Sequence, residues 1–362
     1  MKAILIEPKG SYKHVPVGLL KIAAYLSKNG HTVYLHRCNE KGYTSVGHFD
    51  RAYVTSLFTW EWREVWEAVR WAKLHADKVI LGGIYASALP EHAEKSGAKV
   101  HRGLLWELED IRPLYELVPN CDYSIVHASR GCIRSCKFCI VPKIEGKLKE
   151  KKSIRHLVHP KHHKIILYDN NILALKNWNN IYKELRIMNK LVDFNQGIDV
   201  RLIDQKIASQ ISKLRLHADE YISVRIAFDD IRYKKHFIRG AEYLLDAGIH
   251  PRRIMVYVLY NFKDTPEDFF ERIRIISSYG MVAFPMRYQH IYLPEALEKD
   301  SYVGEHWTKR DLAIVEDFIW KYGRGGSIPP YIYEHFEKSK DFYEAFAGTL
   351  HNTKITDFIS VG

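Results

Sequence analysis

Short apolar segments alternate with amphipathic segments along most of this 362-residue chain, and the alternation limits the folds open to it. In the first third, apolar segments typical of strands lie at residues 3–6, 31–35, 53–56 and 79–83. Helical patterns separate them, among them residues 17–26, which are followed by the helix-ending residues Asn29 and Gly30. Strands that alternate with helices form a parallel sheet with helices on both faces. We therefore predict an α/β fold whose first domain, residues 1–118, is a doubly wound parallel sheet.

A second region, residues 119–295, repeats a strand followed by a helix. Its strands are predicted at residues 123–129, 164–169, 193–199, 222–228, 253–260 and 282–289. Its helices are predicted at residues 178–191, 204–214, 233–247 and 266–279. Parallel strand–helix barrels place their active sites at the carboxyl ends of the strands, so polar residues there are candidates for function. The remaining residues, 296–362, are predicted to form a helical extension.

Three cysteines, Cys132, Cys136 and Cys139, lie directly after the first predicted strand of this second region. Closely spaced cysteine thiolates hold cubane iron–sulfur clusters, and a loop with this spacing supplies three of the four ligands. No cysteine follows Cys139 in the sequence. We therefore predict a 4Fe-4S cluster with one iron open to a small molecule. An open iron indicates chemistry at the cluster, whereas a fully ligated cluster mainly relays electrons.

A zinc site is the main alternative for the three cysteines. Structural zinc usually has four protein ligands, so a histidine would have to supply the fourth. The candidates are His127, His156, His159, His162 and His163. Disulfides are less favoured, because the cluster is odd in number and no secretory signal is recognisable.

The composition is typical of a globular protein without a membrane span. Hydrophobic residues make up 46% of the chain and charged residues 27%. No apolar run approaches the ~20 residues that cross a bilayer. Residues 1–8 resemble a strand and a turn more than a signal peptide. We expect a cytoplasmic protein, and a reducing compartment also suits an oxygen-sensitive cluster.

The formal net charge is +11, and basic residues concentrate just after the cysteines. The densest run, within residues 143–164, contains Lys147, Lys149, Lys151, Lys152 and Arg155. Basic surfaces favour polyanions such as RNA, which keeps nucleic acid among the candidate partners. A solvated connecting loop is the favoured interpretation, because no known RNA-binding module is recognisable.

The cysteine segment resembles the cluster loop of the radical S-adenosylmethionine (radical SAM) superfamily. That signature is three cysteines at this spacing with an aromatic residue before the third, and Phe138 fills this place. The resemblance implies an open six-strand barrel, a cluster on the three cysteines and SAM bound at the open iron. It also implies reductive cleavage of SAM to a 5′-deoxyadenosyl radical, with a flavodoxin- or ferredoxin-type protein as reductant.

The same resemblance implies which residues contact SAM. They are Phe138, Asp169, Asn170, Gln196, Arg201 and Arg225. An arginine among them would pair with the SAM carboxylate in a bidentate fork. For each charged residue, a salt bridge at the barrel rim is the alternative. The residue that gates or donates hydrogen is not identified by the sequence.

Residues 1–118 resemble the cobalamin-binding domain that precedes many radical SAM cores. The resemblance rests on residues 16–26, 56–57 and 82–86. The cobalamin contacts that it implies are Ser56, Leu57, Gly82 and Gly83. The family's Asp-x-His-x-x-Gly loop is absent, and residues 7–10 are Glu-Pro-Lys-Gly instead. The alternative is a degenerate domain that packs against the core without cobalamin.

The leading hypothesis is a radical SAM enzyme, with cobalamin-assisted methylation of an unactivated carbon as the implied outcome. A second hypothesis is RNA modification, because the segment around the cysteines also resembles the tRNA methylthiotransferases. Those enzymes hold a further cluster on three cysteines of the amino-terminal domain, whereas only Cys38 and Cys121 lie outside the triplet here. A third hypothesis is a non-catalytic iron–sulfur or zinc protein. The substrate is not predicted.

Overall fold

The structure is a computed structural model that describes residues 1–43, 47–217 and 222–350. The chain divides into two compact units. The first comprises Met1–Ile165 and Gln289–Tyr302, and the second comprises Ile166–Tyr288 and Val303–Gly362. The boundaries predicted at residues 118 and 295 both fall inside the first unit. Residues 351–362, the end of the predicted extension, lie outside the described residues.

The first unit begins with a five-stranded sheet. The strands are β1 Lys2–Glu7, β2 Thr32–Arg37, β3 Phe49–Ser56, β4 Ala76–Gly83 and β5 Lys99–Val100. The helices between them are α1 Val17–Lys28, α2 Cys38–Lys41, α3 Trp62–His75, α4 Ile84–Ala88 and α5 Pro90–Glu94. The order is β2-β1-β3-β4-β5 and every pair is parallel, which confirms the predicted parallel sheet.

Helices cover both faces of this sheet because its central strands are apolar on both sides. Ile4 and Ile6 of β1 pack in one cluster with Val65 and Val69 of α3. Leu5, which points to the opposite face, packs with Leu19 and Ala23 of α1. Successive side chains of a strand point to opposite faces, so a continuous apolar strand needs a cover on each side. The doubly wound arrangement predicted for this domain is therefore confirmed.

The first unit continues through the cysteine segment. Its later elements are β6 Tyr123–Val126, β7 Ser129–Arg130, α6 Val141–Ile144, β8 Lys149–Glu150 and the start of β9 Lys164–Leu167. Strands β7 and β8 pair antiparallel, so the chain leaves β7, passes the three cysteines and returns alongside β7. Helix α6, which follows the last cysteine, packs against α4 at the end of the parallel sheet.

The second unit alternates strands and helices and then ends in helices. Its further elements are α7 Trp178–Met188, β10 Leu191–Phe194, α8 Gln205–Ser212, β11 Val224–Ala227, α9 Lys234–Asp246, β12 Ile254–Tyr260, α10 Pro266–Ser278, β13 Val282–Arg287, α11 Lys309–Tyr322, α12 Tyr333–Lys338 and α13 Phe342–Ala347. Strands β11, β12 and β13 form a parallel sheet in chain order. The six-strand barrel itself remains a prediction.

Two predicted elements of the second unit were placed wrongly. The strand predicted at residues 193–199 is β10, which ends at Phe194, because Gly197 takes a left-handed φ of +85° that no extended strand adopts. Within the predicted helical extension, the pattern of residues 331–346 predicts one further helix, but the structure has two helices there, since Asp341 caps a new helix by accepting from the N–H of Glu344. Several aromatic side chains of this extension are buried, among them Phe346, which packs on Phe269 of α10 with ring centroids 5.3 Å apart.

Among the described residues, no helix is both long enough and apolar enough to cross a membrane.

Candidate functional site

The cysteine loop is closed at its neck by close backbone contacts. The N–H of Cys132 donates to the carbonyl of Gly146 at 3.3 Å. Gly131 has a φ of +77°, and a Cβ at that position would lie 2.4 Å from the carbonyl oxygen of Lys147. Only glycine tolerates both the positive φ and this approach. The close return of the chain at residues 146–147 therefore requires glycine at position 131, directly before the first cysteine.

The three cysteines are half-buried thiols within this loop, and Phe138 beside Cys139 is also half-buried. The N–H of Arg134 donates to the Sγ of Cys132 at 3.3 Å, and the N–H of Cys139 donates to the carbonyl of Cys136 at 3.0 Å. Hydrogen bonds to the ligating sulfurs are among the interactions that set the potential of iron–sulfur clusters. In chemistry and in accessibility, the thiols suit a cluster held by one short loop.

A preassembled site for a single metal ion is not found among residues 1–43, 47–217 and 222–350. Within the described residues, no three or more His, Cys, Asp or Glu side chains are grouped so that they could hold one. Donors around one tetrahedral ion lie about 3.8 Å apart when each is about 2.3 Å from the metal. The thiolates of a cubane bind separate irons, which is a wider arrangement. The absence of such a group among the described residues therefore bears on a single bound ion and does not test the cluster prediction.

A buried ion network holds the residues that lead into Cys132. The carboxylate of Glu109 accepts two hydrogen bonds from Arg130, at 2.8 and 3.0 Å, and lies 3.1 Å from the ammonium of Lys21. Glu145 accepts from the guanidinium of Arg130 at 3.1 Å and from the backbone N–H of Gly131 at 2.7 Å. Both sides of the loop are thus tied to the same network. Sequence analysis missed it.

The charges of this network support one another. Burial raises the pKa of Glu109, but the hydrogen bonds and charge of Arg130 and the charge of Lys21 outweigh burial and lower the pKa to about 2. Burial lowers the pKa of Lys21 to about 8, against the opposing charge of Glu109. Burial, together with the nearby cations, also lowers the pKa of His127 well below its usual value. At neutral pH, Glu109 is therefore ionised and His127 is neutral.

Three of the histidines considered as a fourth zinc ligand have partners elsewhere. His156 Nε2 lies 2.9 Å from a carboxylate oxygen of Asp110, and His159 Nε2 lies 3.4 Å from Glu116. His162 Nδ1 is hydrogen-bonded to the hydroxyl of Ser124 at 2.9 Å. These side-chain contacts explain part of the histidine-rich segment without a metal ion.

In the second unit, two of the predicted SAM contacts are arginines in ion pairs. Arg201 donates to Asp199 at 2.6 and 3.1 Å, and Arg225 donates to Asp193 at 2.5 Å. Asp199 also accepts from the side-chain amide of Asn171 at 3.0 Å. Both arginines are thus engaged in salt bridges, while contact with SAM remains a prediction.

The other predicted SAM contacts of the second unit differ in exposure. Asp169 is buried, Asn170 is half-buried and Gln196 is exposed. Gln196 follows the end of β10, in the turn that Gly197 makes against the ring of Tyr257. Asp169 and Asn170 follow β9, so all three residues lie beyond the carboxyl ends of strands, as predicted.

A buried arginine that sequence analysis missed organises the ends of β11 and β12. Arg272 of α10 is fully buried and donates to the carbonyls of Phe228 and Leu259, at 3.1 and 2.7 Å, and to the carboxylate of Asp264. Next to it, Asp229 accepts from the N–H of Leu259 at 3.2 Å. Burial raises the pKa of Asp229 to about 6, against that hydrogen bond and the charge of Arg272. Carboxyl groups perturbed in this way are frequent at functional sites.

The residues predicted to contact cobalamin are engaged within the sheet. The hydroxyl of Ser56 donates to the carbonyl of Gly82 at 2.8 Å and accepts from the N–H of Ala86 at 3.2 Å. Gly83 has a φ of +108°, and a Cβ there would lie 2.1 Å from the carbonyl oxygen of Ser56. Close approach of β3 and β4 explains Ser56 and Gly83 without a ligand, so these contacts give the cobalamin prediction no support. Leu57 is half-buried, and its role stays a prediction.

Other polar atoms at the carboxyl edge of the same sheet keep hydrogen-bonding capacity. Within the described part of the chain, Glu7 Oε1, Glu61 Oε2 and Tyr12 Oη are buried and have no hydrogen-bond partner. Glu7 ends β1, and Glu61 lies in the turn after β3. These two strands flank the point where the strand order reverses, which is where α/β sheets bind ligands. The carboxylates of Glu7 and Glu61 at this point would favour a ligand that carries hydrogen-bond donors.

No protein-family model matches this chain, and no curated protein matches its sequence.

Proposed function

We propose that this protein is a radical SAM enzyme whose 4Fe-4S cluster is held by Cys132, Cys136 and Cys139. The observation that carries the proposal is the closed loop on which the three thiols lie, with a backbone N–H donating to one sulfur. Cys38 is buried and Cys121 donates its thiol to the carbonyl of Tyr123, so neither is a clear fourth ligand. One iron would then remain for SAM.

A cluster held by Cys132, Cys136 and Cys139 would supply one electron, received from a reductant protein, for the cleavage of bound SAM into methionine and a 5′-deoxyadenosyl radical. The chain's own residues fix the loop. Arg130, Glu109 and Glu145 hold the entry to Cys132, and Gly131 allows the close return of the chain. Asp169, Asn170, Gln196, Arg201 and Arg225 of the second unit are proposed to bind SAM.

The reaction that uses the radical is proposed to be methylation of an unactivated carbon. Cobalamin as the methyl carrier rests on the resemblance of residues 1–118 alone, because the contacts of Ser56 and Gly83 lend it no support. A radical SAM enzyme with a first domain that lacks cobalamin is the alternative. The visible spectrum of anaerobically purified protein distinguishes the two.

Anaerobic reconstitution with iron and sulfide tests the proposal. We expect a cluster with broad visible absorbance and, after reduction in the presence of SAM, 5′-deoxyadenosine detected by liquid chromatography and mass spectrometry. Replacing any one of the three cysteines by alanine should abolish both signals, because each thiolate binds a separate iron. The matched control is Cys121→Ala, which removes a half-buried thiol outside the loop.

Two outcomes would contradict the proposal. One is a reconstituted cluster that yields no 5′-deoxyadenosine with SAM and reductant. The other is unchanged SAM cleavage in Cys132→Ala, which would show that the ligands lie elsewhere. Zinc in the purified protein, bound in stoichiometric amount and lost in the same variants, would favour the structural alternative.

A further inference from the structure

We propose that the exposed basic segment after the cysteine loop binds a single-stranded nucleic acid. This basic surface is defined by Lys143, Lys147, Lys149, Lys152 and Arg155, together with the indole of Trp106. The conclusion that a nucleic acid is the substrate rests on the proposed radical chemistry. As an account of binding, the inference stands on the charges and contacts of the first unit.

The five cationic side chains are exposed, and one exposed carboxylate, that of Glu150, lies in the same run. Within residues 1–43, 47–217 and 222–350, none of the five is in an ion pair with a carboxylate. The buried carboxylates nearby, Glu109 and Glu145, are taken by Arg130 and by Lys21. Lys151, in the middle of the run, instead faces inward and lies 3.9 Å from Glu109. Lys151 of this segment thus contacts the buried network, whereas the five exposed cations face solvent.

The basic surface is fixed to the neck of the cysteine loop. Lys149 lies in β8, which pairs with Arg130 of β7, and Lys147 is bridged to Cys132. Lys147 and Lys149 are both exposed and two residues apart in an extended segment, so their Cα atoms lie about 7 Å apart. A polyanion held here would therefore lie beside the thiols.

An aromatic ring accompanies the cations. The ammonium of Lys149 lies 3.7 Å from the centroid of the Trp106 ring, and 40% of the Trp106 surface remains exposed. Proteins that bind single-stranded nucleic acid combine a positively charged track with aromatic rings on which bases stack. An acidic protein would use the charges but would not need the exposed indole. The combination therefore favours a nucleic acid.

Fluorescence anisotropy with a labelled 20-nucleotide oligouridine, measured on the full chain at several KCl concentrations, tests this inference. If four to five phosphates are neutralised, the affinity should fall roughly 50- to 130-fold between 50 and 200 mM salt. The triple variant Lys147→Ala/Lys149→Ala/Lys152→Ala should reduce the slope of log affinity against log salt by about 2. Trp106→Ala should weaken binding roughly 5- to 160-fold without changing that slope.

The matched control is Lys183→Ala/Lys206→Ala/Lys213→Ala, which removes the same charge from three exposed lysines of the second unit. It should keep the wild-type slope, and circular dichroism should show that all variants are folded. Equal losses in both triple variants, or binding that does not depend on salt, would overturn the inference. So would binding of polyglutamate through the same lysines without binding of oligouridine, which indicates an acidic protein partner.

Failure of this inference is distinguishable from failure of the proposed function. Anisotropy is measured without SAM, so absence of binding leaves 5′-deoxyadenosine formation untouched. Conversely, an oligouridine complex with the expected salt dependence in a protein that does not cleave SAM would support the surface and reject the radical chemistry.

Discussion

Glu109 is the residue on which the cysteine loop depends most directly. Its carboxylate pairs with Arg130, two residues before Cys132, and with the buried ammonium of Lys21. A buried charge left without its partner costs several kcal/mol, whereas the intact pair is roughly neutral for stability. We therefore expect the network to contribute to the position of the loop more than to stability, because it fixes where the chain enters the loop.

Glu109→Gln keeps the shape of the side chain and removes its charge. We expect the free energy of unfolding to fall by about 3 kcal/mol, because Arg130 and Lys21 lose their counter-charge in a buried place. Iron retained per chain after anaerobic reconstitution should fall as well. Urea unfolding and iron analysis measure the two effects.

Glu107→Gln is the matched control, since Glu107 is exposed and lies two residues away. A Glu109→Gln protein with the stability and iron content of this control would show that the network does not position the loop.

Single residues also show which contacts could not be predicted from the sequence. Cys132, Cys136 and Cys139 stand out by their spacing, so the loop was predictable. Glu109 and Arg130 are 21 residues apart and Lys21 is a further 88 residues from Glu109, so only the fold brings them together. No local pattern distinguishes such a carboxylate from its exposed neighbours.

At the scale of elements, the end of β4 illustrates two glycines with different roles. Gly83 lies against the carbonyl of Ser56 with a φ of +108°, whereas a Cβ on Gly82 would meet nothing closer than 3.9 Å. The backbone conformation of Gly83 is nearly restricted to glycine. The pair of glycines suggested a ligand in the sequence, but at Gly83 the contact between neighbouring strands is the explanation.

Gly83→Ala should therefore destabilise the protein by about 3 kcal/mol or more, from backbone strain and from the clash with Ser56. Gly82→Ala, the control, should change the free energy of unfolding by less than about 1 kcal/mol. Thermal or urea unfolding of the two variants measures the difference. Similar stability of the two would mean that β3 and β4 adjust at this point, and that Gly83 is free for another role.

Elements whose ends carry clear signals were predicted well. Strand β12 was expected at residues 253–260 and spans Ile254–Tyr260, and α10 begins with the capping box of Thr265 and Asp268. The strand expected at residues 193–199 was placed too late in the chain, because it spans residues 191–194 and a turn follows at Gly197. That turn packs against Tyr257, which lies 60 positions away in the chain. A contact of that range leaves no trace in local periodicity.

For the whole molecule, two carboxylates make the pH dependence of stability differ in sign between acidic and near-neutral pH. Glu109, with a pKa of about 2, contributes stability that is present above the unfolded pKa of about 4 and is lost as pH falls toward 2. Asp229, with a pKa of about 6, acts in the opposite direction. Its protonated form is favoured in the folded state, so the free energy of unfolding falls as pH rises from about 4 to 6.

Asp229→Asn isolates the second effect. The amide oxygen can still accept from the N–H of Leu259, but the group no longer titrates. Between pH 4.5 and 7.5, we expect the variant to gain about 2 kcal/mol of unfolding free energy relative to the wild type, since only the wild type must ionise a buried carboxyl. Urea titrations at both pH values measure the change, and Asp230→Asn serves as control because arginine contact lowers the pKa of that neighbouring carboxyl. If the Asp229→Asn difference does not vary with pH, Asp229 is already ionised at pH 4.5, and the carboxyl beyond β11 offers no protonated donor to a bound ligand.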